Sequence, residues 1–326
     1  MENKPILRKS GNAFYKKAGI IFVKIVITII LAKWIINSID LKLFTNTINT
    51  ITWPFIVVIM IVSFIDMSIA ALRWKVLMRP FKPSFSYIHL LYLSLVAHCY
   101  NMLAPGNIAG DVVRAIKTST ATVFLDRLIG MLGLVIIVLC GIIFSYPMLS
   151  ELGLMKYIVL VTLILSFISM SILSRRIIRK FRWISNLLGS LYEKIKDVVV
   201  SIQLYRNCYR EIIEAFAATI GSHLLMITTV YLISRAIGCN AAYFHCLLFV
   251  PVIGLISTLP ITIGGLGLRE ASYILLFTQV GATKEQALGM SLIYFMLLFV
   301  WAILGAILAV VPMEKIFLAK EVKTEY

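Results

Sequence analysis

The chain has 326 residues, 60% of them hydrophobic and 14% charged, with a net charge of +16 and a mean hydropathy of +0.96. Soluble chains carry about 25% charged residues, so this balance excludes an ordinary water-soluble domain, and without strand-period alternation a β-barrel is not expected. The cations sit in short segments between apolar runs, a topogenic pattern that adds attraction to anionic headgroups; nucleic acid is not an expected partner.

Apolar runs of the roughly 20 residues needed to cross a bilayer recur along the chain, predicting an all-α polytopic membrane protein. Residues 1–17, with Lys4, Arg8, Lys9, Lys16 and Lys17, form a basic N-terminus expected in the cytoplasm. A single integral domain, 18–312, follows. Its first span, about 18–38, is too long for a signal-peptide core; Lys24 and Lys33 near its ends can snorkel, so it is expected to be retained. The next loop, with Asp40 and Lys42, should face outward. A second span, about 53–72, ends in RWKVLMRPFK, whose Arg73, Lys75, Arg79 and Lys82 return it to the cytoplasm.

An irregular region, 84–125, comes next: an apolar limb, SFSYIHLLYLSLVAHCYNML, runs into APGNIAGDVVRAIKTSTATVFLDR. Spans at about 128–146 and 157–173 flank a weakly charged outer segment, and the second ends in the basic cluster SRRIIRKFR. Residues 174–210 place apolar residues at helical spacing among charges, predicting a basic amphipathic segment on the inner surface. A span at about 212–234 leads to a second irregular region, 241–281. The last span, about 287–311, precedes a cytoplasmic tail, 313–326, with Lys315, Lys320 and Lys323. The expected location is the cytoplasmic membrane, both termini inside.

Each irregular region is flanked by loops of one side, so each must leave by the face at which it began. Each is therefore a helical hairpin, re-entrant or fully spanning, which makes six full spans and two hairpins in all. Their tips share a pattern. PGNIAGDVVR and PITIGGLGLR both read P-x4-G-x3-R: Pro105, Gly110 and Arg114 in the first, Pro260, Gly265 and Arg269 in the second. One hairpin starts from the cytoplasm and the other from outside, as expected of an inverted repeat.

Proline suits a helix start, and glycines such as Gly106, Gly264 and Gly267 let backbone approach a ligand. A helix start offers unpaired N–H groups and the positive end of the dipole, a site for anions and phosphate in particular. Arg114 and Arg269, one helical turn beyond their glycines, could complete a bidentate clamp. Intramembrane charge is costly and marks function, although Gly-rich tips also serve close helix packing and Arg269–Glu270 also reads as a structural ion pair. Asp126 and Arg127 are neighbours about 100° apart on a helix, expected to serve different partners, with Arg127 either an interfacial anchor or a substrate contact. Asp111 either caps its helix or offsets Arg114 until an anion arrives.

Cys99, Cys140, Cys208, Cys239 and Cys246 show no CxxC spacing, and His89, His98, His223 and His245 no HExxH spacing. They read as packed side chains; no metal, cofactor or catalytic residue is expected.

Three segments, PGNIAGDVVRA, FLDRLIGMLGL and LPITIGGLGLREA, resemble the signatures of the lysylphosphatidylglycerol synthase transmembrane-region family, which includes the flippase half of MprF-type proteins and YbhN-like and AglD-like membrane proteins. The resemblance covers about residues 15–312. It implies a polytopic lipid-handling module with paired re-entrant elements, and it carries Arg114, Arg127, Arg269 and Glu270 over as functional positions. Ala109–Gly110–Asp111 departs from the double glycine common in the family, which implies a less open tip. No segment between spans is long enough for the soluble aminoacyltransferase fold of bifunctional relatives, so lysyl transfer is not expected.

The leading expectation is a flippase-like protein that moves an anionic or aminoacylated phospholipid, or a polyprenyl-phosphate lipid, across the cytoplasmic membrane. Its hairpins would meet near the midplane. The alternatives are a membrane-embedded transferase acting on a lipid-linked sugar or headgroup, and a scaffold for cell-envelope enzymes docking on 174–210. Expected partners are membrane lipids and lipid-modifying or polysaccharide enzymes.

Overall fold

A computed structural model describes residues 26, 30, 33, 34, 37, 40–81, 85–103, 111, 114, 120–144, 205, 208–257, 262 and 265–310. Every regular element among them is helical. Of the first predicted span only residues 26, 30, 33, 34 and 37 belong to this set, all helical. The span expected at 157–173, nearly all of segment 174–210, both termini, and the tip residues Pro105, Gly106, Gly110, Pro260 and Gly264 lie outside the described residues.

The expected outer loop contains a short helix, α1 (Leu41–Asn49). Asp40 caps it, its side chain accepting from the amides of Lys42 at 2.8 Å and Leu43 at 3.3 Å. Then comes α2 (Trp53–Met78), with proline in its first turn. Its 26 residues reach about 39 Å at 1.5 Å per residue, beyond the hydrocarbon thickness of about 30 Å. The helix continues past the expected end of the span near residue 72 and carries Arg73 and Trp74 into the protein body. Arg73, read from the sequence as a loop cation, is helical and largely buried.

The first hairpin limb is α3 (Tyr87–Leu103), and Asp111 and Arg114 beyond it are also helical. The span expected from about residue 128 is α4 (Thr120–Phe144), which starts earlier and places Asp126 and Arg127 in its second turn. After α5 (Tyr209–Ala236) come the second hairpin's limbs, α6 (Tyr243–Ser257) and α7 (Leu268–Phe277). A 3-10 turn, Thr278–Val280, ends at Gly281 with φ 87°. The last helix is α8 (Lys284–Val310). Among the described residues, α2, α4, α5 and α8 are long and apolar enough to cross a membrane; the other two expected full spans fall on residues largely outside the described set.

The packing order is reciprocal. Helix α2 lies against α5, the limb α3 against α8, and the limb α6 against α4; α7 fills the angle between α6 and α8. The core holds Ile227, Val230 and Ile233 of α5, Leu248 and Phe249 of α6, and Phe277 of α7. Phe277 stacks on Tyr273 at 5.5 Å and meets Phe249 edge-on at 5.4 Å. Glycines admit the two limbs. A Cβ on Gly305 of α8 would sit 2.1 Å from the Leu95 carbonyl oxygen of α3, and one on Gly141 of α4 would sit 3.0 Å from Leu248 Cα of α6. Outward, Phe55, Ile56, Val57, Val58, Ile61 and Ile65 of α2 are exposed. A continuous apolar surface of that kind is stable in hydrocarbon and a liability in water. The chain is a multi-pass membrane protein.

Candidate functional site

Six helices leave a cavity of about 350 Å³ between them, lined from α2, α3, α4, α5 and α8, by Leu255 of α6, and by Asp111 and Arg114. Helical spacing explains how mostly apolar helices supply it with polar groups. Ser63, Asp66, Ala70 and Arg73 form one face of α2; Ser94, Ala97, His98 and Asn101 one face of α3; Ser222, Met226 and Thr229 one face of α5. Ten residues of α2 separate Ser63 from Arg73, so the cavity follows that helix for about 15 Å.

One end of the cavity is a charge cluster. Arg73 Nε donates to Asp126 Oδ1 at 2.7 Å, and Arg114 Nη1 to Asp126 Oδ2 at 3.3 Å. Arg127 Nε donates to Asp111 Oδ2 at 2.6 Å, while Asp111 Oδ1 stands 3.9 Å from Arg114 Nη1. Asp126 and Arg127, though adjacent, thus pair with different groups. Arg114 lies between two carboxylates, with its guanidinium 3.9 Å from the ring centroid of buried Trp74, a cation–π contact. Exposure grades inward: the Arg127 side chain is 47% exposed, Arg114 14% and Asp126 3%. The cluster therefore has a mouth at Arg127 and a floor at Asp126. Among the described residues, three cations face two anions, in surroundings where ion pairs are strong and net charge is costly.

The second hairpin's charges lie elsewhere. Arg269 and Glu270 do not line this cavity. Arg269 donates to Glu270 Oε1 from Nη2 at 2.6 Å and from Nε at 3.1 Å, and from Nε to Ser291 Oγ at 3.1 Å. Its guanidinium lies 4.8 Å from the Phe295 ring centroid. Glu270 Oε2 accepts from the Gly267 amide at 2.6 Å. That amide, offered to an anion on the sequence reading, is taken by the chain's own carboxylate, an N-terminal cap in which the third helical residue reaches back. Gly265 and Gly267 both have positive φ, 76° and 80°, which glycine adopts without strain. The two arginines matched by the tip pattern are thus in different surroundings, and α8 reaches both, with Ser291 of the buried pair one turn from Tyr294 of the cavity wall.

The family model for the lysylphosphatidylglycerol synthase TM region matches residues 21–305. The chain belongs to this family. No curated protein and no solved structure matches it. Membership in the lysylphosphatidylglycerol synthase TM-region family ties the fold to lipid handling, and every side chain of the charge cluster lies inside the matched residues.

Sequence reasoning missed several residues of the cavity. Arg73 stands at the end of an apolar run, where a topogenic cation is expected, and Asp66 is a lone charge inside that run. Their spacing of seven residues, two helical turns, is the signal that places both on one face. Ser222 donates to Asp66 Oδ1 at 2.5 Å. His223, read as packing, donates from Nε2 to the Gly130 carbonyl at 3.0 Å and lines the cavity with His98. Among the described residues no group of histidines, cysteines and carboxylates has the arrangement of a metal site.

Proposed function

We propose that this protein translocates a lipid with a phosphate-bearing headgroup across the cytoplasmic membrane, and that Arg73, Arg114 and Arg127 receive the phosphate. The observation that carries the reading is the cationic cluster inside a cavity of a lipid-embedded helical body. An arriving phosphate exchanges with Asp111 and Asp126 for guanidinium donors, and fork-shaped donors suit phosphate oxygens. The tails remain in lipid beside α2. Because the empty site keeps its arginines paired with the two aspartates, it never presents bare buried cations.

The reciprocal packing supports an inverted repeat. Helices preceding the hairpins, α2 and α5, pack on each other, and each hairpin's first limb packs on the span following the other hairpin. Spacing agrees: Trp53 to Tyr209 and Tyr87 to Tyr243, the starts of paired helices, are both 156 apart, and the tip arginines 155. The limb α7, of 10 residues, measures about 15 Å, short of a bilayer core of about 30 Å. This length favours a re-entrant second hairpin. Two repeats rocking about the α2–α5 contact would open the cavity to alternate faces. Against transferase chemistry, a base must be free to take a proton, and both aspartates of the cluster are held by arginines.

The test is leaflet exchange of a fluorescent anionic phospholipid in proteoliposomes. Charge-assisted hydrogen bonds contribute roughly 1.5–3 kcal/mol each, so Arg114→Ala is expected to slow exchange by about 10- to 100-fold. Half-exposed Arg127→Ala, which leaves Asp126 paired, should slow it less while folding normally. Exchange at the wild-type rate in both variants overturns the proposal.

A further inference from the structure

At the other end of the cavity stands a carboxylate that the arginine cluster does not use. Asp66 lies two turns along α2 from Arg73, and its hydrogen bond comes from a neutral hydroxyl, Ser222 Oγ, at 2.5 Å. It forms no ion pair among the described residues. A hydroxyl can donate to a carboxylate or accept from a carboxylic acid, so this contact survives either protonation state. Asp111 and Asp126 differ: each is engaged as a carboxylate by arginine donors.

Charge balance gives Asp66 a task. Among the described residues the cavity holds Arg73, Arg114 and Arg127 against Asp66, Asp111 and Asp126, three of each sign. With Asp66 ionised this set is neutral, and a phosphodiester monoanion would leave it one uncompensated negative charge in a low-dielectric interior, where such charge is strongly disfavoured. With Asp66 protonated the set carries the single positive charge that the phosphate cancels. We propose that Asp66 is a proton-binding site whose proton enters the bound state together with the lipid phosphate. This rests on the anion-site reading above. Each lipid carried would then be accompanied by one proton, which couples lipid movement to the transmembrane proton gradient.

Among the described residues the other titratable groups of the cavity wall are His98 of α3, His223 of α5 and Tyr294 of α8, with Asp111, Arg114, Asp126, Arg127 and Arg73 in the cluster. The two histidines are the rival proton carriers. Both need testing.

The experiment uses the full chain in maltoside micelles with dihexanoylphosphatidylglycerol, a phosphodiester monoanion from pH 5.5 to 8.5, and reads affinity calorimetrically in buffers of different ionisation enthalpy. For the wild type, affinity is expected to fall by up to tenfold per pH unit as the free-state Asp66 ionises, with uptake of about one proton per lipid. Asp66→Asn keeps a hydrogen-bond partner for Ser222 and is permanently neutral. It should bind at pH 8.5 as wild type does at pH 5.5, with no pH slope and no proton uptake, while His98→Gln and His223→Gln keep both. A wild-type slope in Asp66→Asn, its loss in a histidine variant, pH-independent wild-type binding, or loss of binding in Asp66→Asn at every pH each overturns the assignment and leaves the anion site standing. Absence of wild-type binding throughout overturns both.

Discussion

Replacing Arg269 by Met separates a structural role for the second hairpin from a role in contacting substrate. Arg269 makes three hydrogen bonds within its pocket, two to Glu270 and one to Ser291. Without it, Glu270 keeps the Gly267 amide and the Ser291 hydroxyl but faces no cation. Removing one partner of a buried ion pair costs about 3–5 kcal/mol, a large part of the stability of most domains. Removing both charges should restore most of that loss. Arg269→Met with Glu270→Gln leaves an uncharged side chain that still accepts from Gly267, and the two changes should be non-additive by about 2–3 kcal/mol. The assay is apparent Tm by tryptophan fluorescence in detergent at one scan rate, with lipid exchange measured on the same preparations. The expected order is wild type, then the double variant, then the single variant well below both, with exchange following the folded fraction. Should Arg269→Met melt with the wild type and yet fail to exchange lipid, the arginine acts on the substrate and the structural assignment is wrong.

Two further outcomes test packing. Gly305→Ala should lower apparent Tm more than Gly141→Ala, because its Cβ would meet the Leu95 carbonyl oxygen at 2.1 Å against 3.0 Å to Leu248 Cα, and overpacking of rigid backbone contacts costs about 1–3 kcal/mol or more; the reverse order refutes the limb contacts. Cys239, in the turn after α5, is buried, and burial pushes its thiol above the usual range, so the folded protein holds the protonated, unreactive form. Peptide-level mass spectrometry at pH 8 should find it alkylated by maleimide only after denaturation.

Much of the architecture was legible because the bilayer constrains sequence so strongly. Apolar runs located α2, α4, α5 and α8, and Pro260 to Arg269 marked the break between α6 and α7. Pairing was less legible. Arg269 and Glu270 stand out as adjacent opposite charges, but only the fold brings Ser291 of α8 to them and so makes the pair a closed structural unit. Similarly, P-x4-G-x3-R aligns Arg114 with Arg269, while surroundings divide them: Arg114 meets Asp126 and Trp74, Arg269 meets Glu270 and Phe295. A shared backbone pattern fixes where a helix starts, and neighbouring helices decide what its arginine does.

The boundary errors have one physical origin. Hydropathy ended the second span near residue 72 and began the middle one near 128, whereas α2 runs to Met78 and α4 begins at Thr120. Both omitted stretches are helix that faces protein and cavity instead of lipid, and they contain Arg73, Asp126 and Arg127. A hydropathy run measures contact with hydrocarbon, and it stops where a helix turns polar groups toward an internal site. The ends of such runs in this fold are therefore the places to look for function, above all where a charge recurs seven residues from another inside an apolar stretch, as Asp66 does from Arg73. The same logic separates cations at the surface from those that line the cavity. Arg79, beyond α2, is half-exposed and pairs with Glu214 at the surface, whereas Arg73, less than two turns earlier, is buried against Asp126.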